Sequence, residues 1–158
     1  MLYVDKTDMM YDLADRYTYV FLARPRRFGK SLLCNTFKAY FLGQKELFEG
    51  LKVMELEKQW KKFPVLHFTM SGLKNCTIEE AKGKLEAFIG DYEAVYGRNE
   101  ADKTPGARFR RLIHFAYEQT GEKVVIILDE YDSAIMRLMY NPDQVDAMRS
   151  LLREFIRC

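Results

Sequence analysis

The chain is 158 residues long, 48% apolar and 30% charged, a composition that suits one soluble globular domain and excludes a disordered chain. Lysine and arginine number 25 against 23 acidic residues, so a net charge of +2 leaves no overall footprint for nucleic acid. Cys34, Cys76 and Cys158 are too few and too scattered for a disulfide framework or a zinc site and suit a reducing cytoplasm; no leader is expected, and the longest strongly apolar run, 124–128, is too short to span a membrane.

Residues 3–17 read as a short strand or turn entering a helix, with Thr7 as N-cap and Met10, Leu13, Ala14 and Tyr17 at helical spacing. Residues 19–23 form a continuous apolar run, as expected of a buried strand in a parallel sheet. The next string, Arg24-Pro25-Arg26-Arg27-Phe28-Gly29-Lys30-Ser31, is the one basic cluster, and it ends in the back half of the phosphate-binding pattern G-x-x-x-x-G-K-[ST]. Gly29 would let successive N–H groups turn toward phosphate oxygens. The Lys30 ammonium would bridge the β and γ phosphates, and the Ser31 hydroxyl would ligate magnesium. The start of the following helix adds its positive dipole end. Arg26, Arg27, Phe28 and Leu32 complete the stretch expected to contact nucleotide, the arginines serving either the phosphates or loop anchoring. Arg24 stands where the pattern has its first glycine, so this string alone also fits a basic turn between a strand and a helix.

Helical spacing resumes at Leu33, Phe37, Tyr40 and Phe41 and stops at Gly43, with Cys34 as a small packed residue. Residues 45–62 read as a short helix and a polar segment, in which Trp60, among Lys58, Lys61 and Lys62, covers a solvated face. A second strand spans 64–70; His67 lies within it, with no second histidine or acid spaced to make a metal site. Thr77 and Glu80 make a capping box for a long helix whose apolar face includes Ala81, Leu85, Ile89 and Tyr92. After the loop 97–106 comes a helix with Phe109, Leu112, Ile113, Ala116 and Tyr117 on one face and Gly121 as its stop. The third strand, 123–128, runs into Asp129-Glu130-Tyr131-Asp132, and from about Pro142 the chain is helical, with Val145, Met148, Leu151, Leu152 and Phe155 inward.

An aliphatic strand ending in Asp-Glu is the second signature of nucleotide-hydrolysing P-loop proteins, the Walker B strand. Asp129 would stand at the carboxyl end of a parallel strand, where open α/β sheets place ligands, and help hold the magnesium. Glu130 would orient or deprotonate the attacking water. Acids also end strands simply because a loop begins, so the joint occurrence with Gly29-Lys30-Ser31 carries the reading.

Tyr3-Val4-Asp5-Lys6-Thr7, the string from Phe21 through Gly29-Lys30-Ser31-Leu32-Leu33, Lys38-Ala39-Tyr40-Phe41, Leu47-Phe48-Glu49-Gly50-Leu51, Pro64-Val65-Leu66-His67 and Leu128-Asp129-Glu130-Tyr131-Asp132 together resemble the AAA-ATPase-like family. Its members are bacterial and archaeal proteins that often carry a PD-(D/E)XK nuclease-like domain after the ATPase. The resemblance implies an α/β fold, a three-layer α-β-α P-loop NTPase with a parallel sheet, and binding and hydrolysis of ATP with Mg2+. It carries over Lys30 as phosphate ligand, Ser31 and Asp129 as magnesium ligands and Glu130 as catalytic acid, and it makes the absent first glycine ordinary. No strand after Asp129-Glu130 supplies a polar sensor residue, and no arginine finger is identifiable. The chain therefore reads as one domain, 1–158, of a longer protein, with its sheet incomplete at the carboxyl end. Partners implied for that protein are a downstream nuclease-like domain or DNA.

Two other functions stay open: a nucleotide-binding switch without useful turnover, and a small-molecule P-loop kinase. In the ATPase topology, strands 19–23 and 124–128 should share a parallel sheet with one vacant strand position between them. In the kinase topology they should be adjacent.

Overall fold

Two apolar clusters organise the fold, one in each of two units, Met1–Val65 and Leu66–Cys158. The computed structural model describes residues 4–23, 28–73, 76–130 and 142–156. Among them no helix is long and apolar enough to cross a membrane.

In the first unit, α1 (Thr7–Arg16) begins one residue earlier than an N-cap at Thr7 would allow, with Lys6 at the N-cap position and Thr7 as the first helical residue. Asp5 Oδ1 accepts the Thr7 N–H at 2.9 Å and its hydroxyl at 2.7 Å, while Oδ2 accepts the Lys52 N–H at 2.8 Å. The Thr7 hydroxyl, buried, accepts the Val53 N–H at 3.1 Å. Two short polar side chains thus cover the first N–H groups of both α1 and α3 (Val53–Leu56), donors that no intrahelical carbonyl can reach. Above them Met10, Phe48 and Val53 are buried, with Leu33, Phe37, Tyr40 and Trp60 packed around. Trp60 accordingly points inward, 5.2 Å from the Phe48 ring, rather than covering a solvated face. Its lysine neighbours gave no sign of this, because the partners lie elsewhere in the chain.

Residues 19–23 are a correction. They belong to no strand, and Tyr19 and Phe21 are 92% and 72% exposed. An apolar run becomes a central strand only where ladders flank it, and the run itself does not supply them. The sheet consists of β1 (Val65–Thr69) and β2 (Val125–Asp129), paired in parallel, and does not include 19–23. Among the described residues neither expected arrangement of 19–23 is met, neither a place in the sheet of β2 one vacant strand away, as in the ATPase topology, nor a direct ladder with β2, as in the kinase topology.

The second unit is built on that pair. Leu66, Phe68 and Met70 alternate into the core, as a period of two dictates. The Tyr92 hydroxyl accepts the His67 N–H at 2.9 Å and donates to the His67 carbonyl at 3.1 Å, so a side chain satisfies both backbone groups there. Helices α4 (Ile78–Tyr96) and α5 (Pro105–Thr120) make the crossover between the strands. The Thr77–Glu80 capping box opens α4, with the Thr77 N–H donating to Glu80 Oε2 at 2.8 Å. Thr104 caps α5 ahead of Pro105, and Gly121 ends it at φ +69°. Ala81, Leu85 and Ile89 face Phe109 and Leu112 in one core, which Met148 and Leu152 of α6 (Pro142–Ile156) complete. The result is a mixed α/β fold with a small parallel sheet.

One ion pair is enclosed by this packing. Arg108 of α5 donates from Nε to Glu93 Oε1 at 3.0 Å and from Nη2 to Glu93 Oε2 at 2.6 Å, with both residues 8% exposed. Bidentate geometry compensates two buried charges, but either charge left alone is costly. Arg108→Met should therefore lower stability by about 3–5 kcal/mol, and adding Glu93→Leu should restore much of the loss in denaturant titrations. Asp5 yields a pH prediction. Partial burial pushes its carboxyl up, but the Thr7 and Lys52 donors outweigh this and hold it below the ordinary 3.8. A depressed carboxylate stabilises the fold above its unfolded value and loses that contribution as pH falls through the folded one. Asp5→Ala should cost about 1–2 kcal/mol at pH 7, and the difference from wild type should shrink below pH ~4 in urea unfolding.

Candidate functional site

Each signature lies in a different unit and has its own local geometry. In the first, Gly29 is the N-cap of α2 (Lys30–Phe41) at φ +76°, the left-handed region that glycine enters without strain. A Cβ built there meets nothing within 4 Å, so it is the backbone angle, and not lack of space, that calls for glycine. The Gly29 carbonyl accepts the Leu33 N–H at 3.0 Å, the first bond of the helix. No side chain caps α2 and no acid stands in its first turn, whereas α4 and α5 are capped by Thr77 and Thr104. Lys30 and Ser31 thus occupy the first two positions of a 12-residue helix whose first turn contains no acidic residue. Ser31 is exposed and Lys30 half-buried; Phe28 and Leu32 are 64% and 53% exposed. Arg26 and Arg27, with Arg24 and Pro25, lie outside the described residues.

In the second unit β2 delivers Asp129 as its last residue, buried to 6% exposure. Among the described residues its carboxylate has no ion pair and no side-chain hydrogen bond, although a buried charge ordinarily needs a partner. Glu130 follows at φ +54°, a left-handed conformation that costs a residue with a Cβ roughly 1–3 kcal/mol. This turn sets the direction in which Glu130 leaves the strand, and nothing in the order of residues signals it. Tyr131 and Asp132 lie outside the described residues.

Among the described residues no three His, Cys, Asp or Glu side chains gather into a site that could hold a metal alone. Magnesium on a nucleotide is held by one or two protein oxygens, with phosphates and water completing the octahedron. In the second unit Asp129, a buried carboxylate with no ion pair among the described residues, is a donor of that kind; in the first unit, taken by itself, so is the Ser31 hydroxyl.

Comparison with known proteins agrees with these local features. The family model described as "Predicted AAA-ATPase" matches residues 1–158. A protein of Azotobacter chroococcum mcd 1, described as an uncharacterized protein in the vnfD 5' region, is 35% identical over 151 residues, covering 96% of this chain. The chain spans 29% of that relative's length. No solved structure matches the chain. With the match running from the first residue to the last, and both the Gly29-Lys30-Ser31 turn and the Asp129-Glu130 acids within it, the chain belongs to the AAA-ATPase-like family.

Proposed function

We infer that the chain binds ATP with magnesium and hydrolyses it, and that in the longer protein its nucleotide state is coupled to a partner such as a downstream nuclease-like domain. The observation that carries this reading is the left-handed Gly29 at the head of a helix without a side-chain cap, followed directly by Lys30 and Ser31. Backbone N–H groups, a helix dipole and an ammonium then converge on one anion. The match to a family described as ATPases supports the choice of ATP over other phosphate compounds.

In this proposal Lys30 neutralises charge on the β and γ phosphates, Ser31 and Asp129 hold the magnesium, and Arg26 and Arg27 add positive charge beside the loop. Magnesium supplies charge compensation on the phosphate oxygens. Glu130 accepts a proton from the water as the water oxygen bonds to the γ phosphorus. The bond from that phosphorus to the bridging oxygen breaks, leaving ADP and phosphate. A carboxylate beside the metal-binding acid suits water activation better than transfer to a substrate hydroxyl.

Lys30→Ala should weaken binding of magnesium ATP by about 1–3 kcal/mol in calorimetry, and unchanged affinity would refute the loop assignment. Glu130→Gln retains size and hydrogen bonding but lacks the base. It should hold ATP while steady-state phosphate release falls roughly 10²–10⁴-fold, measured on the longer protein with and without DNA. Turnover equal to wild type would remove Glu130 from the role; a wild-type protein that binds but releases no phosphate would leave a nucleotide-dependent switch.

A further inference from the structure

The first unit contains a cavity of about 190 Å³ that the nucleotide reading does not use. Five rings line it, those of Tyr11, Tyr40, Phe41, Trp60 and Phe63, together with the carboxylates of Asp15 and Glu57. The rings meet at steep angles: 85° between Tyr11 and Tyr40, 66° between Tyr40 and Trp60, and 85° between Phe41 and Phe63. Such a wall turns corners, as a box does and a stack does not. Tyr40 and Phe41 close α2, so the cavity lies at the opposite end of that 12-residue helix from Gly29, about 18 Å away along its axis.

The electrostatics point one way. Ring faces carry negative potential, and so do the carboxyl ends of helices; Ala14 and Asp15 line the cavity from the last turn of α1, and Tyr40 and Phe41 from the last turn of α2. Neither Asp15 nor Glu57 has an ion pair among the described residues. Lys61, also in the wall, already sets its ammonium 5.8 Å from the centre of the Phe63 ring, so these rings accept a cation.

Glu57 narrows the choice of cation. Its Oε2 accepts the Tyr40 hydroxyl at 2.6 Å, and its Oε1 accepts the Gln59 N–H at 2.7 Å and the Trp60 N–H at 3.2 Å. Most of its lone pairs are therefore occupied by the protein, while it takes part in no ion pair among the described residues. With three of its acceptor positions filled, Glu57 has little left for the N–H donors of a primary ammonium or a guanidinium, though its charge still attracts a cation. A methylated ammonium has no such donors and is weakly hydrated, and aromatic boxes recognise it through the ring faces.

Backbone strain adds an independent sign. Trp60 is held at φ +47°, a conformation costly for a bulky residue and most often kept where a site needs it. Glu57 fixes it from one side. On the other, Gly43 lets the chain come close: a Cβ there would lie 3.0 Å from the Trp60 carbonyl oxygen and 2.8 Å from the Lys62 side chain.

We propose that this aromatic, acidic cavity is a binding site for a methylated ammonium group, borne either by a small molecule such as choline or by a trimethylated lysine side chain. Trp60 is the sole tryptophan of the chain, so its fluorescence reports on the wall directly. Choline chloride should change that emission saturably, also in the presence of magnesium ATP, while sodium chloride and the neutral carbon counterpart 3,3-dimethyl-1-butanol should not. A peptide carrying trimethyllysine, titrated beside its unmethylated form, separates the two sources: tighter binding than choline assigns the side chain, weaker binding the free molecule. Tyr11→Leu should weaken binding about 3- to 30-fold, and Asp15→Asn, at an exposed position with no described partner, several-fold. Failure of both methylated ligands to saturate, or an equal response to the neutral counterpart, would overturn the proposal without any variant having to fold. Unchanged affinity in both folded variants would overturn it as well.

Discussion

Every backbone N–H and C=O removed from water must find a partner, and much of this structure follows from how the chain meets that demand. Asp5 and Thr7 supply acceptors for the starts of α1 and α3, Thr77 and Glu80 for α4, and Thr104 for α5. The Tyr92 hydroxyl completes His67 on β1. These are side chains of α4 and of loops answering backbone groups that secondary structure leaves over. At α2 no side chain performs this service, and the residue at the cap is a glycine that contributes only a bend. An anion able to take several N–H donors at once is the natural complement of that end, which is why the loop reads as a phosphate site and not merely as a turn.

The same helix is polar in a second sense. Its first residues, Lys30 and Ser31, lie at the positive end of the dipole, and its last, Tyr40 and Phe41, lie at the negative end beside Glu57. Little of α2 is buried: it has no fully enclosed residue, and it is held by partial contacts of Leu33, Phe37 and Tyr40 with the cluster of Met10, Phe48 and Val53. The second unit is built differently, around a continuous core in which β1, α4, α5 and α6 each contribute fully buried apolar side chains and which encloses the Arg108–Glu93 pair. Val124 and Leu128, beside and within β2, pack against that core, and Asp129 follows as the buried last residue of the strand.

Much of this was legible in the order of residues because it depends on near neighbours. The capping box at Thr77 and Glu80, Gly121 past the end of α5, and the alternation in β1 are rules acting over a few positions, and each appears where the residues place it, whereas Pro105, read as part of the loop 97–106, is the first residue of α5. The Gly29-Lys30-Ser31 and Asp129-Glu130 signatures likewise declared themselves, since phosphate and magnesium chemistry restricts the residue types at short spacing. The left-handed angle at Gly29 follows from the same local logic.

What only the tertiary structure decided are the features whose cause lies far along the chain. The apolar run 19–23 has the composition of a buried strand, yet composition cannot provide the neighbouring ladders, and the run belongs to no strand. Lys6, not Thr7, stands at the N-cap of α1, and the Asp5 and Thr7 side chains also accept the N–H groups of Lys52 and Val53, which come from far along the chain. Trp60 turns inward because Phe48 and Tyr40 meet it from other segments. The left-handed Glu130 and Trp60 and the two acids of the aromatic cavity follow no local rule. The residue sequence by itself determined the capping box of α4, the stop of α5 at Gly121 and the glycine angle at Gly29; folding decided burial and the pairing of charges, because these depend on which distant groups come within a few ångströms of one another.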